Sequence, residues 1–571
     1  VNPSPDGLGD GAGVTSGSGN PWLRFAPRII LLVAGFLLGA GVLRDSLPQD
    51  PGGGPFTEDV VVPVLVSLVV VTVGGVLTSF KWERAGVATA TFGACYVVVV
   101  TALHYELGVS LVVLAAFALP IGLLWREQVI EVPGRRTAVL GITTVALTAV
   151  AGLVSHRIWS HFLGPTHPES GTARAPDSPV RWVWAGAVET DRFSLAAVLN
   201  EVSTDLELIV TDSRGVEVQH TAPRAAEAGT PLKIDVVGLE PATEYRYVLA
   251  SAGEPDDLRS GRVRTFPDGP ASLTLAFASC ARNKSNAAVF DTIRELDADL
   301  YANIGDIHYR DIVDDDPRQF AAAYDQIHAS PARSALYRST AFAYVWDDHD
   351  YGADDSDSTS RSRPAAWSTY RQFVPHYELA IREAGSINQA FTIGRVRVVM
   401  LDTRSERLAS EATMLGSEQL GWLFDQLLTA RDTHALVILV SPTPWIAAAD
   451  PGADHWGGFP AERDAIGTFL EANDIDNIVL VAGDAHMVAI DDGTNSGYGG
   501  HGGFPVLQAA ALDRPGALKG GPYSHGAFPG GGQFGVVEIA DDGGDQIDVE
   551  LIGMNWEGEV LTSLSTRFSV G

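Results

Sequence analysis

The chain has 571 residues, with 39 Lys+Arg against 70 Asp+Glu and a formal net charge of −31, a length that predicts several domains rather than one core. The acidic excess is uneven: residues 1–162 hold 9 basic and 10 acidic residues, leaving 30 basic and 60 acidic in the rest. Such a surface excludes a nucleic-acid partner, because phosphate backbones are held by Lys/Arg patches.

A Gly/Ser/Pro-rich leader (1–27) is expected to be disordered and precedes five uncharged apolar runs, 29–43, 60–80, 85–105, 107–125 and 137–155. The last four are long enough to cross a hydrocarbon core of about 30 Å. The first is short and spans if Arg28 and Arg44 reach the two interfaces and Trp22 anchors one end. Arg24, Arg28, Lys81, Arg84, Arg126, Arg135 and Arg136 all fall on one side of such a bundle, and Arg44 stands alone in the opposite loops. The positive-inside rule then predicts a five-helix transmembrane region (28–162) with a cytoplasmic N-terminus. The lipid bilayer is the expected partner, the cell membrane the expected location, and everything after about residue 160 is extracytoplasmic.

Residues 163–179 read as a Pro/Ser/Thr-containing linker, and 180–267 as short β-rich runs separated by turns, which predicts a β-sandwich. Within it, Leu239-Glu240-Pro241-Ala242-Thr243-Glu244-Tyr245-Arg246-Tyr247 resembles the corner motif of fibronectin type III domains. From 268 to 571 strands and helices alternate. The alternating Leu273, Leu275 and Phe277 predict a strand ending at Cys280, followed by a helix over 289–296 and a strand over 300–304 ending at Gly305-Asp306. Further strands are predicted over 342–346, 390–393, 396–401, 435–440 and 477–482, with helices over 318–329, 365–379, 417–430 and 461–472. The glycine-rich 492–534 reads as a loop walling the site, and strands over 535–540 and 546–552 close the fold.

Each polar cluster follows an apolar β run, which is where ligands collect in open α/β sheets. Asp306, Asp348, Asp484 and His486 offer hard oxygen and nitrogen donors, and Cys280 and Tyr309 are softer anionic ligands able to hold trivalent iron. Three carboxylates and a histidine in Asp347–Asp350 would repel one another without a cation. Two cations held close together could bind a phosphate ester and generate hydroxide from water. His349 is the natural acid for a departing alkoxide, and Arg404 either pairs with phosphate oxygens or salt-bridges a neighbour.

Ala278-Ser279-Cys280, Gly305-Asp306-Ile307-His308-Tyr309, Trp346-Asp347-Asp348-His349-Asp350, Leu401-Asp402-Thr403-Arg404 and Gly483-Asp484-Ala485-His486, in that order, resemble the motifs of the alkaline phosphatase D (PhoD-like) family of metallophosphoesterases. The resemblance implies an α/β fold, a four-layer β-sandwich flanked by helices, preceded here by the fibronectin-III-like sandwich. It also implies a hydrolase of phosphomonoesters or phosphodiesters carrying ferric iron and calcium, with manganese or zinc as alternatives. Cys280, Asp306 and Tyr309 match the iron ligands, and Asp348, Asp484 and His486 the remaining metal ligands. His349 matches the leaving-group acid. The chain departs from the family at His308, which either adds a ligand or faces solvent, and at Ser441-Pro442-Thr443-Pro444-Trp445, where the wider superfamily carries a histidine. A phospholipase D-like lipid diesterase and a decayed, non-enzymatic binding protein are the alternative readings.

Overall fold

The computed structural model describes residues 167–381 and 385–570, and these belong to one compact unit. The leader and the five apolar runs lie outside the described residues. Among the described residues, no helix is long and apolar enough to cross a membrane.

Two large sheets carry the fold. The first has nine strands, in the order Val560–Ser569, Gln546–Asn555, Gln533–Ala540, Leu273–Ala278, Leu300–Asn303, Phe342–Tyr344, Val180–Gly186, Arg192–Leu199 and Leu232–Val237. Leu273–Ala278, Leu300–Asn303 and Phe342–Tyr344 run parallel at its centre. The second has seven, in the order Gln389–Ile393, Val396–Met400, Leu436–Ser441, Ile478–Ala482, Val506–Ala509, Met487–Asp491 and Ala527–Pro529. Its strands Val396–Met400, Leu436–Ser441, Ile478–Ala482 and Val506–Ala509 are also parallel.

Period-2 alternation sorts the side chains of this second sheet between two cores. Val398, Met400, Ile438, Val440, Val479 and Val481 join Leu275, Phe277 and Ala302 of the first sheet. Val399, Leu401, Val437, Leu439, Ile478 and Leu480 point the other way, onto Leu423 and Leu427 of the helix Gly416–Thr433 and Ile466 and Leu470 of Pro460–Ala472. Phe290, Phe320, Tyr324 and Leu336, from the helices Val289–Glu295, Pro317–His328 and Pro331–Tyr337, join the core of the first sheet. The layering is helix, sheet, sheet, helix, as the family resemblance implies.

The helix predicted over 365–379 is observed as Arg363–Phe373. Val374 is extended because Pro375 follows it, and a residue before proline is pushed out of the helical region. The expected sandwich over 180–267 is built differently from a closed module. Val180–Gly186, Arg192–Leu199 and Leu232–Val237 extend the nine-stranded sheet through the parallel pair Gly186 and Phe342. The remaining strands form a separate sheet centred on Ser203–Asp212 and Glu244–Ser251. At the corner motif the Glu240 N–H donates to the Tyr245 hydroxyl at 2.9 Å. Tyr247 then donates to the Arg338 carbonyl at 2.8 Å, which ties this sheet to the larger part.

The described end of the linker is also docked. The Ser170 N–H donates to the Asn286 carbonyl at 2.7 Å, the Ala288 N–H to the Pro168 carbonyl at 2.9 Å, and Thr172 Oγ1 donates to Asp291 at 2.7 Å.

Candidate metal centre

The site forms where the carboxyl ends of parallel strands from both sheets face each other. Leu273–Ala278 delivers Ser279-Cys280, Leu300–Asn303 delivers Gly305-Asp306, and Phe342–Tyr344 delivers Asp347-Asp348-His349. From the second sheet, Val396–Met400 leads to Asp402 and Arg404, and Ile478–Ala482 to Gly483-Asp484. Cys280, Asp306 and Asp484 all take positive φ, at 62°, 53° and 64°. Non-glycine residues held in this left-handed region store about 1–3 kcal/mol each and concentrate at functional sites.

Both Gly-Asp motifs use glycine for close approach. A Cβ on Gly305 would lie 2.5 Å from Asp347 Cβ, and one on Gly483 would lie 2.7 Å from the Ile304 carbonyl and 2.8 Å from the Pro442 carbonyl. Gly483→Ala must therefore push the two sheet ends apart. We expect it to lower stability by about 1–3 kcal/mol and to weaken metal retention, readable by thermal denaturation and elemental analysis.

All six predicted ligands and His349 fall in one connected cluster. The Cys280 thiol donates toward Asp306 Oδ2 at 3.6 Å and toward the Asp484 carbonyl at 3.7 Å. The Tyr309 hydroxyl donates to Asp306 Oδ2 at 2.6 Å and lies 3.2 Å from His486 Nε2. Ligand atoms of Asp306, Asp348 and His349 lie within 4.8 Å of one another, as do those of Asp348, Asp355 and Asp454. Lys519 closes the chain of contacts, holding Asp484 and, at 2.9 Å, Asp454.

Burial dominates the electrostatics. It pushes Asp306 and the Cys280 thiol well above their ordinary values and Asp484 up to about 7, and it lowers His486 to about 3, leaving that ring neutral. For His349, burial pulls the ring down, but the carboxylates of Asp348, Asp306 and Asp311 outweigh it and hold the pKa up at about 11. Its Nδ1 is paired with Asp311, and Nε2 lies 3.4 Å from Asp354.

The donor set fits a cation. Asp306 Oδ1 is buried with no hydrogen-bond partner, and so is Asp347 Oδ2; a buried carboxylate oxygen left in that state is costly unless something else binds it. The thiol and phenol suit a trivalent ion, and the carboxylates suit harder divalent ions.

Arg404 takes the second of its two expected roles, a salt bridge to neighbours, and His308 departs from the expected exposure. Arg404 is sealed at 0% exposure, with its guanidinium against Asp347 and bonded to both oxygens of Asp454 at 2.6 and 3.2 Å. It faces carboxylates on the inner side of the cluster, so the geometry gives it a positioning role rather than a seat for phosphate oxygens. His308 is buried and does not meet solvent: its backbone N–H donates to Asp350 Oδ1 at 3.0 Å and its ring lies edge-on to Tyr324.

The sequence reading missed Asp311, Asp355, Asp454, Arg514 and Lys519. Asp454 stands nine residues past Trp445. Arg514, 4.0 Å over the Tyr309 ring, and Lys519 come from the glycine-rich segment. Two basic residues in a glycine-rich stretch of a strongly acidic chain were the available signal.

Residues 275–506 match the family model described as PhoD-like phosphatase. Among curated proteins, the chain is similar to alkaline phosphatase D of Bacillus subtilis (strain 168), 23% identical over 312 residues, 44% of this chain and 52% of that protein. The chain thus spans about half the length of this curated relative. Among solved structures, one titled Structure of PhoD superposes with a TM-score of 0.55 at 18% identity, covering 69% of this chain and 92% of that one, and shows the fold. A purple acid phosphatase from yellow lupin follows, at TM-score 0.46 and 12% identity over 68% of this chain and 74% of that one.

Proposed function

We propose that this chain is a metal-dependent phosphoesterase of the alkaline phosphatase D type that hydrolyses phosphomonoesters, phosphodiesters or both. The observation that carries the reading is the convergence of Cys280, Asp306, Tyr309, Asp348, Asp484 and His486 on one buried cluster at the carboxyl ends of two facing sheets. Cys280, Asp306 and Tyr309, with His486 beside them, would hold ferric iron, and Asp348 and Asp484 would serve calcium or another divalent ion. Bound cations supply Lewis acidity toward phosphoryl oxygens and lower the pKa of water.

The chain's own groups do the rest. His349, oriented by Asp311 at Nδ1, would present its Nε2 proton to a departing alkoxide. Arg404 fixes Asp347 and Asp454 and so sets the Asp348 loop. Lys519, less buried than Arg404, brings an ammonium to the Asp484 side, where a substrate's negative charge would be received.

Membrane anchoring through residues 28–162, with an extracytoplasmic site, rests on the apolar runs and their asymmetric basic flanks. Purified full chain should hydrolyse p-nitrophenyl phosphate or bis(p-nitrophenyl) phosphate. Chelator should abolish that turnover, and metal ions should restore it. Turnover that survives exhaustive chelation would overturn the proposal. Protease protection in sealed vesicles, with cleavage after residue 180 only from the extracytoplasmic face, tests the orientation.

A further inference from the structure

A second cavity, of about 280 Å³, shares no lining residue with the metal cluster. Its charged lining is Arg174, Arg181, Arg259 and Arg338 against Asp177 and Asp325, a cationic surplus in a chain of net charge −31.

The acids do not cancel that surplus. Asp325 is already spent on Arg181, at 2.7 Å, and on the Trp182 indole N–H, at 2.7 Å, and Asp177 is an exposed rim residue. Arg259 donates only to the backbone carbonyls of Arg181, Leu258 and Pro176, and the Arg338 side chain only to Ser334 Oγ at 3.3 Å. Among the described residues, neither guanidinium has a carboxylate partner. Burial holds Arg338 below its ordinary value, and repulsion from Arg259 and Arg294 pushes the same way.

The inner wall of the same cavity includes His328. His328 is 5% exposed, and both its ring nitrogens lack a hydrogen-bond partner. The ring stacks on Trp182 at 4.3 Å and meets Trp184 edge-on, which fixes its plane. Burial keeps it neutral, with a pKa of about 3, so one nitrogen offers an N–H and the other an acceptor.

We propose that this cavity is a second anion site, taking the phosphate group of a small soluble ligand between Arg259 and Arg338. Guanidinium forks match phosphate oxygens in charge and geometry. A phosphate group fills only part of the space, which leaves the flank near Trp182 for whatever the phosphate carries. The inference does not rest on the reading of the metal centre.

Equilibrium dialysis of labelled inorganic phosphate against the full chain, stripped of metal by chelator and held at constant ionic strength with chloride, tests it. Asp306→Asn in every protein compared removes residual binding at the metal cluster. The expected result is one saturable site per chain. Arg259→Gln and Arg338→Met should each weaken it by about tenfold or more. Arg318→Met, which removes an equal charge from a side chain 90% exposed elsewhere, should not. In chains with Asp306 intact and metal present, the Arg259 and Arg338 variants should keep full turnover, which separates this site from catalysis. Methyl phosphate should compete, and vesicles displaying phosphatidic acid should not. Non-saturable uptake, equal affinity in both arginine variants, or competition by the vesicles alone would overturn the proposal.

Discussion

Asp306→Asn is expected to cut hydrolysis of p-nitrophenyl phosphate by about 10³-fold or more while leaving the fold in place. Asp306 touches more of the cluster than any other ligand: its Oδ2 accepts from Tyr309 and lies 3.6 Å from the Cys280 thiol, and its Oδ1 is buried without a partner. Asparagine is isosteric, and it tolerates the left-handed backbone at φ 53° better than most residues. The substitution therefore removes an anionic ligand without disturbing the turn. Kinetics, elemental analysis and a melting curve on the same preparation check this. Loss of turnover and of metal, with a cooperative melting transition retained, is the predicted pattern. Full activity in the variant would contradict it.

Arg404→Met is expected to destabilise the chain by about 3–5 kcal/mol, the usual cost of leaving buried charge uncompensated. Asp347 and Asp454 would lose the guanidinium that holds them together, and Asp348 a cation at 3.9 Å. Denaturant unfolding measures the loss. Adding Asp454→Asn to Arg404→Met should recover part of it, because one of the stranded charges is then gone. Arg404→Lys keeps the charge but not the two-pronged bond to Asp454, and should fall in between. A phosphate-binding arginine would behave differently, raising KM with stability nearly unchanged.

The parts of this molecule legible in sequence are those set by local periodicity. Val396–Met400 and Ile478–Ala482 declare themselves as apolar runs ending in polar motifs, and parallel sheets then place those endings on one edge. Cys280, Asp306 and Asp484 follow such runs directly, so chain order alone locates them. Asp454 and Lys519 lie on stretches without periodicity, and their place is fixed by pairing with Arg404 and Asp484, far away in sequence. The strands Val506–Ala509 and Ala527–Pro529 are hidden for a similar reason. They are short and surrounded by glycine, and only their partners Ile478–Ala482 and Met487–Asp491 make them strands. The split of residues 180–267 between two sheets depends on Gly186 meeting Phe342, a pairing that no local pattern announces.

Elemental analysis of the purified full chain, after dialysis against metal-free buffer, tests the central claim most directly: that loops from two facing sheets are gathered by cations. The account predicts about two firmly held metal ions per chain, iron among them, with iron lost in Cys280→Ala and in Asp306→Asn. Active wild-type protein that retains no metal, or a metal content untouched by both substitutions, would contradict it.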